Sequence, residues 1–249
     1  GDERTPVNRS QPHKPVCELV WQQGRGIHSA GSGMSETSPI GLVKLAVTVA
    51  AIGYLLLMLF ALLFANRLIF PAPPPGYRDS PDLLKLAYNE NGDSVTMQFR
   101  PVPQSRFLVF YHHGNGEDLQ SIQARLNSLQ RMGVSVLAWD YPGYGTSDGK
   151  PTTKGILRIA EAIWEQIPDT FGFPHDRVIL YGRSVGSGPA TWLAARRQPA
   201  GLVLEGAFTS IFRVGLGRNF LPWDHFDNLS RIDRLRCPVL FLHGTEDRT

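Results

Sequence analysis

The sequence predicts an α/β protein in which a mostly parallel sheet is flanked by helices and preceded by one apolar helix. Short apolar runs alternate with helical stripes over most of the chain, which is typical of parallel strands joined by helices. An uncharged segment of 21 residues, 45–65, stands before that alternation. The motif GRSVG at 182–186 lies directly between an apolar run and a helix-forming stretch. These three observations set both the fold class and the place to look for chemistry.

The first 39 residues are predicted to form a disordered segment. Residues 1–33 are polar, rich in proline, glycine and arginine, and show no apolar periodicity. Such a composition buries too little surface to offset the entropy of the chain. The chain begins with Gly1, and Met34 stands shortly before the apolar segment. We therefore expect Met34 to be the true first residue of the protein, with residues 1–33 translated from sequence upstream of it. The alternative is that residues 1–33 belong to a genuine long N-terminal tail whose own initiating methionine is missing.

Residues 40–67 are predicted to form a single-pass transmembrane signal-anchor helix. At about 1.5 Å per residue, the uncharged run spans roughly 30 Å, the thickness of the hydrocarbon core of a bilayer. The run is too long for the apolar part of a cleavable signal peptide and has no small-x-small cleavage site. Lys44 precedes the uncharged run, and Arg67 and Arg78 follow it, so the basic residues leave the orientation of the helix open.

A proline-rich linker is predicted over 68–80 and a single α/β domain over 81–249. We expect an antiparallel hairpin of two strands around Asn91-Gly92, followed by short apolar strands buried on both faces. The seven expected strands are residues 83–88, 95–100, 107–111, 134–139, 178–181, 202–204 and 239–242. Helices are expected over the apolar stripes at 119–129 and 156–167, the second capped by Thr152 or Thr153.

The GRSVG motif predicts a serine nucleophile. A Gly-x-Ser-x-Gly sequence between a strand and a helix forces a sharp turn with the serine at its tip. The two glycines are needed because side chains there would clash with the neighbouring strand and helix. Ser184 is therefore the predicted nucleophile.

Two further loops follow apolar runs and complete a predicted hydrolase site. The loop HHGNG at 112–116 occupies the place where serine hydrolases present a backbone N–H to the oxyanion, and the residue after the nucleophile presents another. This predicts the backbone N–H groups of Asn115 and Val185 as oxyanion donors. The loop HGTED at 243–247 places an acid after the serine in chain order, which predicts Asp247 as the catalytic acid.

In these motifs the chain resembles the α/β-hydrolase superfamily, specifically its serine-aminopeptidase-like branch of membrane-anchored hydrolases. The segments HHGNGED, WDYPGYGTSDGKPT, GRSVGSGPA, LEGAFTS and CPVLFLHGTEDRT occur in the family's order, from roughly residue 71 to the C-terminus. The resemblance implies that Ser184 attacks an acyl carbon, that Asn115 and Val185 stabilise the oxyanion, and that Asp247 orients a histidine. It also favours a catalytic domain outside the cytoplasm.

The histidine that this resemblance implies, a few tens of residues beyond the acid, is absent from the chain. All seven histidines precede Asp247: His13, His28, His112, His113, His175, His225 and His243. We therefore expect a C-terminally truncated α/β-hydrolase fold that lacks its final strand, helix and catalytic histidine. His225 is the one outside candidate for the base, whereas His243 is expected to be structural.

Three other polar residues near the predicted site are given lesser roles. Asp140 is expected to cap the turn that leaves its strand rather than to contact substrate. Glu205 is a candidate substitute acid, although Asp247 is preferred. Arg183 is expected to be structural.

Composition narrows the function further. The 25 basic and 22 acidic residues give a net charge of +3, with no basic cluster interleaved with aromatics, so no nucleic-acid partner is predicted. No zinc-ligand spacing and no glycine-rich nucleotide motif occur, so no metal or cofactor is implied. The sequence predicts a membrane-anchored serine hydrolase that cleaves an ester, thioester or peptide-like acyl bond of a small acyl, lipidated or peptide substrate. The alternative is a non-catalytic, hydrolase-like binding or scaffold protein.

Overall fold

The computed structural model describes residues 1, 38–216 and 221–245. Residues 2–37 of the predicted disordered segment, the proposed start at Met34 and the predicted acid Asp247 lie outside these residues. The chain divides into two compact units, Gly1–Ile52 and Gly53–Thr249. The second unit holds the whole sheet and the predicted nucleophile.

One long apolar helix, α1 (Pro39–Ile69), crosses the boundary between the units. It has 31 residues and a mean hydropathy of 2.6 in its most apolar window, so by length and composition it can cross a membrane. Within the second unit, α1 buries one face only: Ala61, Ala65 and Ile69, spaced four residues apart, are each less than a tenth exposed. Leu62 and Leu63, on another face, are largely exposed.

Seven strands form one sheet, in the order β1-β2-β4-β3-β5-β6-β7. The strands are β1 (Leu84–Ala87), β2 (Ser94–Arg100), β3 (Leu108–His112), β4 (Ser135–Trp139), β5 (Val178–Arg183), β6 (Gly201–Glu205) and β7 (Val239–Leu242). The opening hairpin is antiparallel, and β3 to β7 run parallel to one another. The predicted fold class and its seven strands are confirmed.

The described residues of the domain form four α-helices: α2 (Gln123–Arg131), α3 (Thr153–Phe171), α4 (Ser187–Ala194) and α5 (Ile211–Leu216). The predicted cap of α3 is Thr152, whose hydroxyl accepts a hydrogen bond from the Gly155 N–H at 3.0 Å. The prediction for α2 was too long at its start. Asp118 accepts the Ser121 N–H in a local turn, which delays the helix until Gln123 although the apolar residues before it are still buried.

The central strands β3 and β4 are buried on both faces of the sheet. In β3 and β4, Phe110 and Leu137 pack into the larger core with α3 and α4, while Val109 and Val136 pack into a smaller core with α2. This double burial explains the uninterrupted apolar runs in the sequence. Since the carboxyl ends of parallel strands meet at one edge, the loops after β3, β5, β6 and β7 come together there.

Candidate active site

Ser184 lies at the tip of a sharp turn between β5 and α4. Its backbone φ is +48°, in the left-handed region that non-glycine residues rarely adopt. Such a conformation costs about 1–3 kcal/mol and persists only where the surroundings enforce it. The residues Ser184–Gly186 form a single 3-10 turn that leads directly into α4. The side chain of Ser184 is thereby held away from the sheet.

The two glycines of the motif enforce this turn because neither has room for a side chain. A Cβ atom on Gly182 would lie 2.5 Å from the backbone oxygen of Gly186. A Cβ atom on Gly186 would collide with the backbone oxygen of His112, at the end of β3. Both obstacles are backbone atoms, so no flexible side chain can move aside. The same close approach places the loop after β3 beside Ser184.

That loop carries Asn115, whose side-chain Oδ1 accepts a hydrogen bond from the Tyr144 hydroxyl at 2.9 Å. The amide is therefore already engaged, which is consistent with a role for Asn115 through its backbone N–H. Asn115, Ser184 and Val185 line the same cavity. The structure thus brings together three of the four predicted site residues; the fourth, Asp247, lies outside the described residues.

A charge network, formed by Glu117, Arg125, Arg183 and Glu205, lies on one side of Ser184. Arg183 binds Glu117 at 2.5 Å and Glu205 at 3.3 Å. The other carboxylate oxygen of Glu117 accepts the Gly114 N–H at 2.6 Å. Partial burial lowers the pKa of Arg183, but the charges of Glu117 and Glu205 outweigh it and leave the pKa raised. Arg183 therefore links the loop after β3 to β6, in agreement with the structural role expected for it.

Glu205 is held from several directions. Arg125 binds its Oε1 at 2.8 Å, beside Arg183, and the Tyr181 hydroxyl donates to its Oε2 at 2.8 Å. Burial and the hydrogen bond to Glu205 raise the pKa of Tyr181. A carboxylate with these three partners is committed to the network, which disfavours Glu205 as a substitute acid.

Asp140 is a buried connector, and the prediction that it caps the turn leaving its own strand was wrong. Its Oδ1 accepts the Leu119 N–H at 2.9 Å, and its Oδ2 accepts a short hydrogen bond from the Tyr77 hydroxyl. His113 Nε2 also approaches Oδ1 at 3.4 Å. Burial and the Asp140 charge raise the pKa of Tyr77. Asp140 therefore joins three segments that are distant in sequence, which local turn rules do not reveal.

Four of the described histidines are held by other partners. His112 accepts a hydrogen bond from the Trp139 indole at 3.0 Å, and burial lowers its pKa to about 3. His113 contacts the Gly114 carbonyl, and His175 stacks on Trp164. His225, the outside candidate for the base, bonds to Thr153 at 2.7 Å, and burial lowers its pKa.

Two cavities meet at Ser184. An open cleft of about 870 Å³ is lined by members of the charge network and by His243. An apolar cavity of about 430 Å³ is lined by Val185, by Phe208 and Phe212 from the segment after β6, and by α1. The sequence did not predict that α1 lines this cavity. In a helix that is apolar on all faces, the sequence signal for this contact is the pair of small residues at 61 and 65, about one turn apart.

Comparison with known proteins agrees with this architecture. The family model described as "Serine aminopeptidase, S33" matches residues 103–222. The chain is 37% identical to the alpha/beta hydrolase domain-containing protein aho-3 of Caenorhabditis elegans, over 59% of this chain and 46% of that protein. It is 34% identical to the alpha/beta hydrolase domain-containing protein 17B of Homo sapiens, over 65% of this chain and 58% of that protein. The chain thus spans about half the length of these curated relatives.

Solved structures show the same fold at low sequence identity. An alpha-beta hydrolase from Vibrio vulnificus superposes with a TM-score of 0.53 at 21% identity, covering 67% of this chain and 65% of that one. The esterase Pf2001 of Pyrococcus furiosus superposes with a TM-score of 0.52 at 17% identity, covering 71% of this chain and 81% of that one. At such identities the likeness concerns the fold alone.

Proposed function

Because the chain is similar in sequence to α/β hydrolases and shares their fold, we propose that it is a membrane-anchored serine hydrolase that cleaves an ester, thioester or peptide-like acyl bond. The observation that carries this proposal is the strained turn at Ser184, enforced by two glycines and placed against the loop after β3. A protein that used this region only as a packing surface has no need for a serine with a positive φ.

The proposed reaction proceeds through an acyl-enzyme on Ser184. The Oγ atom attacks the acyl carbon as a histidine removes its proton, and the resulting oxyanion is bound by the backbone N–H groups of Asn115 and Val185. The histidine then protonates the leaving group as the acyl–heteroatom bond breaks. Water, deprotonated by the same histidine, releases the acid and restores the Ser184 hydroxyl.

Asp247 is the proposed acid that orients this histidine. His112, His113, His175 and His225 are not proposed as the base, since each is held by another partner. Functional tests use the full-length protein.

The nucleophile is tested with a fluorophosphonate probe, which labels activated serines. The unmodified protein is expected to be labelled and to hydrolyse an activated ester, and Ser184→Ala is expected to lose both properties. Ser128→Ala is the matched control and is expected to be labelled normally. Ser128 is exposed on α2, where its hydroxyl donates to the Ala124 carbonyl and accepts a hydrogen bond from Arg131 of the same helix. Labelling that persists in Ser184→Ala contradicts the assignment, and a folded unmodified protein that neither labels nor hydrolyses favours the non-catalytic scaffold.

The membrane anchor is the second part of the proposal and rests on the length and composition of α1. The protein is expected to remain with the membrane fraction in high salt and in alkaline carbonate, with its catalytic domain outside the cytoplasm. Deleting residues 45–65 is expected to release it. Extraction of the unmodified protein by carbonate would contradict a membrane-spanning helix. Protease accessibility in sealed vesicles shows on which side of the membrane the catalytic domain lies.

A further inference from the structure

The last turns of α1 form one wall of the apolar cavity that reaches Ser184. The contributing side chains are Leu57, Phe60, Ala61, Ala65, Leu68 and Ile69. The opposite wall includes Val185, a proposed oxyanion donor, and Phe208. None of the described residues that line this cavity carries a charge. A group in this cavity thus meets apolar atoms almost everywhere except at the catalytic serine.

The inner and outer parts of the helical wall differ. Ala61 and Ala65 are 8% and 6% exposed, and their small side chains leave the space that the cavity occupies. Leu57, Phe60 and Leu68 line the same cavity yet are 40%, 50% and 66% exposed. The cavity therefore has an apolar interior and an apolar rim, which suits entry from an apolar medium rather than from water.

The charge network on the other side of Ser184 separates the roles of the two cavities. A charged cleft suits a polar leaving group, whereas the apolar cavity beside Val185 suits the acyl chain that stays on the serine. The volume of about 430 Å³ falls within the range of small-molecule sites, roughly 300–1,000 Å³. Its walls provide shape and apolar contact rather than polar recognition.

We infer that this cavity binds a long, unbranched acyl chain that enters from the bilayer, and that α1 acts both as membrane anchor and as part of the acyl-binding site. This acyl site depends on the proposed function, because it requires Ser184 as the nucleophile. A longer chain makes more van der Waals contacts with the apolar walls until the cavity is filled, so chain length is expected to set substrate preference.

The test compares p-nitrophenyl butyrate with p-nitrophenyl palmitate, the latter presented in phosphatidylcholine vesicles that also hold the protein. The unmodified protein is expected to have the higher kcat/KM for the palmitate. Ala65→Phe fills the cavity and is expected to lower the palmitate-to-butyrate ratio of kcat/KM by at least about tenfold. Ala65→Val adds less volume and is expected to lower the ratio by a smaller factor, so the inference stays testable if the larger substitution prevents folding.

Leu63→Phe is the matched control, because Leu63 lies on an exposed face of the same helix and does not line the cavity. Its ratio is expected to equal that of the unmodified protein. A ratio unchanged in both Ala65 variants, while fluorophosphonate still labels Ser184, overturns the acyl site and leaves the proposed function intact. Absence of both labelling and hydrolysis in the unmodified protein instead overturns the proposed function.

Discussion

The two sides of Ser184 differ in the forces that shape them. On one side, the charge network joins the loop after β3 to the ends of β5 and β6 through ion pairs of defined geometry. On the other side, the cavity wall formed by α1 carries only apolar groups among the described residues. Directional bonds fix the position of a loop, whereas apolar walls accept any group of suitable shape. The comparison suggests that one side positions the oxyanion donors and the other selects the acyl group.

The turn that separates the two sides is expected to be the most sensitive feature. Gly186→Ala places a Cβ against the backbone of His112, so we expect a loss of at least about 3 kcal/mol in the free energy of unfolding and complete loss of probe labelling. Denaturant unfolding in detergent measures the first effect. Gly53→Ala is the control, because nothing lies within 4 Å of its added Cβ. A Gly186→Ala protein of normal stability and labelling is incompatible with the turn described.

The charged side is tested next with Glu117→Gln. The substitution removes the charge that holds Arg183 while keeping the size of the side chain, so the Gly114 N–H and the oxyanion loop lose a fixed position. We expect kcat to fall by about 10- to 100-fold, less than the loss of a whole oxyanion donor, with little change in KM. Steady-state kinetics with the palmitate ester measures both quantities.

Glu165→Gln supplies the matched control for Glu117→Gln, since it removes a charge paired with Arg197 on the exposed face of α3. Its kinetics are expected to be normal. If Glu117→Gln raises KM and leaves kcat unchanged, the charge network contributes to substrate binding and not to the position of the oxyanion donors.

The smallest expected effect concerns pH and His112, at the end of β3. Burial and the nearby His113 lower the pKa of His112 to about 3. Between about pH 6.5 and about pH 3, His112 is therefore protonated in the unfolded chain and neutral in the folded chain. The contribution of His112 to the free energy of unfolding is therefore present above the unfolded pKa of about 6.5 and is lost as the pH falls towards about 3. We expect His112 to account for about 1 kcal/mol of lost stability between about pH 6.5 and about pH 5.5.

His112→Asn is the variant for this measurement, because its amide oxygen can still accept the Trp139 indole N–H. Carboxylates titrate in both proteins, so only the difference between the two slopes of unfolding free energy against pH reports on His112. A shallower slope in His112→Asn is expected. Equal slopes show that the buried imidazole is not excluded from protonation.

The sequence predicted the central strands well because burial on both faces leaves short apolar runs that need no tertiary information. It also located the Ser184 turn, since the glycines at 182 and 186 are a local requirement of the backbone. It failed for Asp140, whose partners Tyr77 and Leu119 are brought to it only by the folded sheet. It missed that the last turns of α1 line the cavity at Ser184, because a helix that is apolar on all faces shows no stripe to mark its packing face.

The central claim is that Ser184, between these two sides, forms a covalent acyl-enzyme. Rapid acid quenching of the complete protein with p-nitrophenyl palmitate, followed by proteolysis and mass spectrometry, tests it most directly. The account predicts one added palmitoyl group, located on Ser184, that appears before steady-state turnover and is absent from Ser184→Ala. Ester hydrolysis with no acylated peptide, or with the acyl group on another residue, would contradict it.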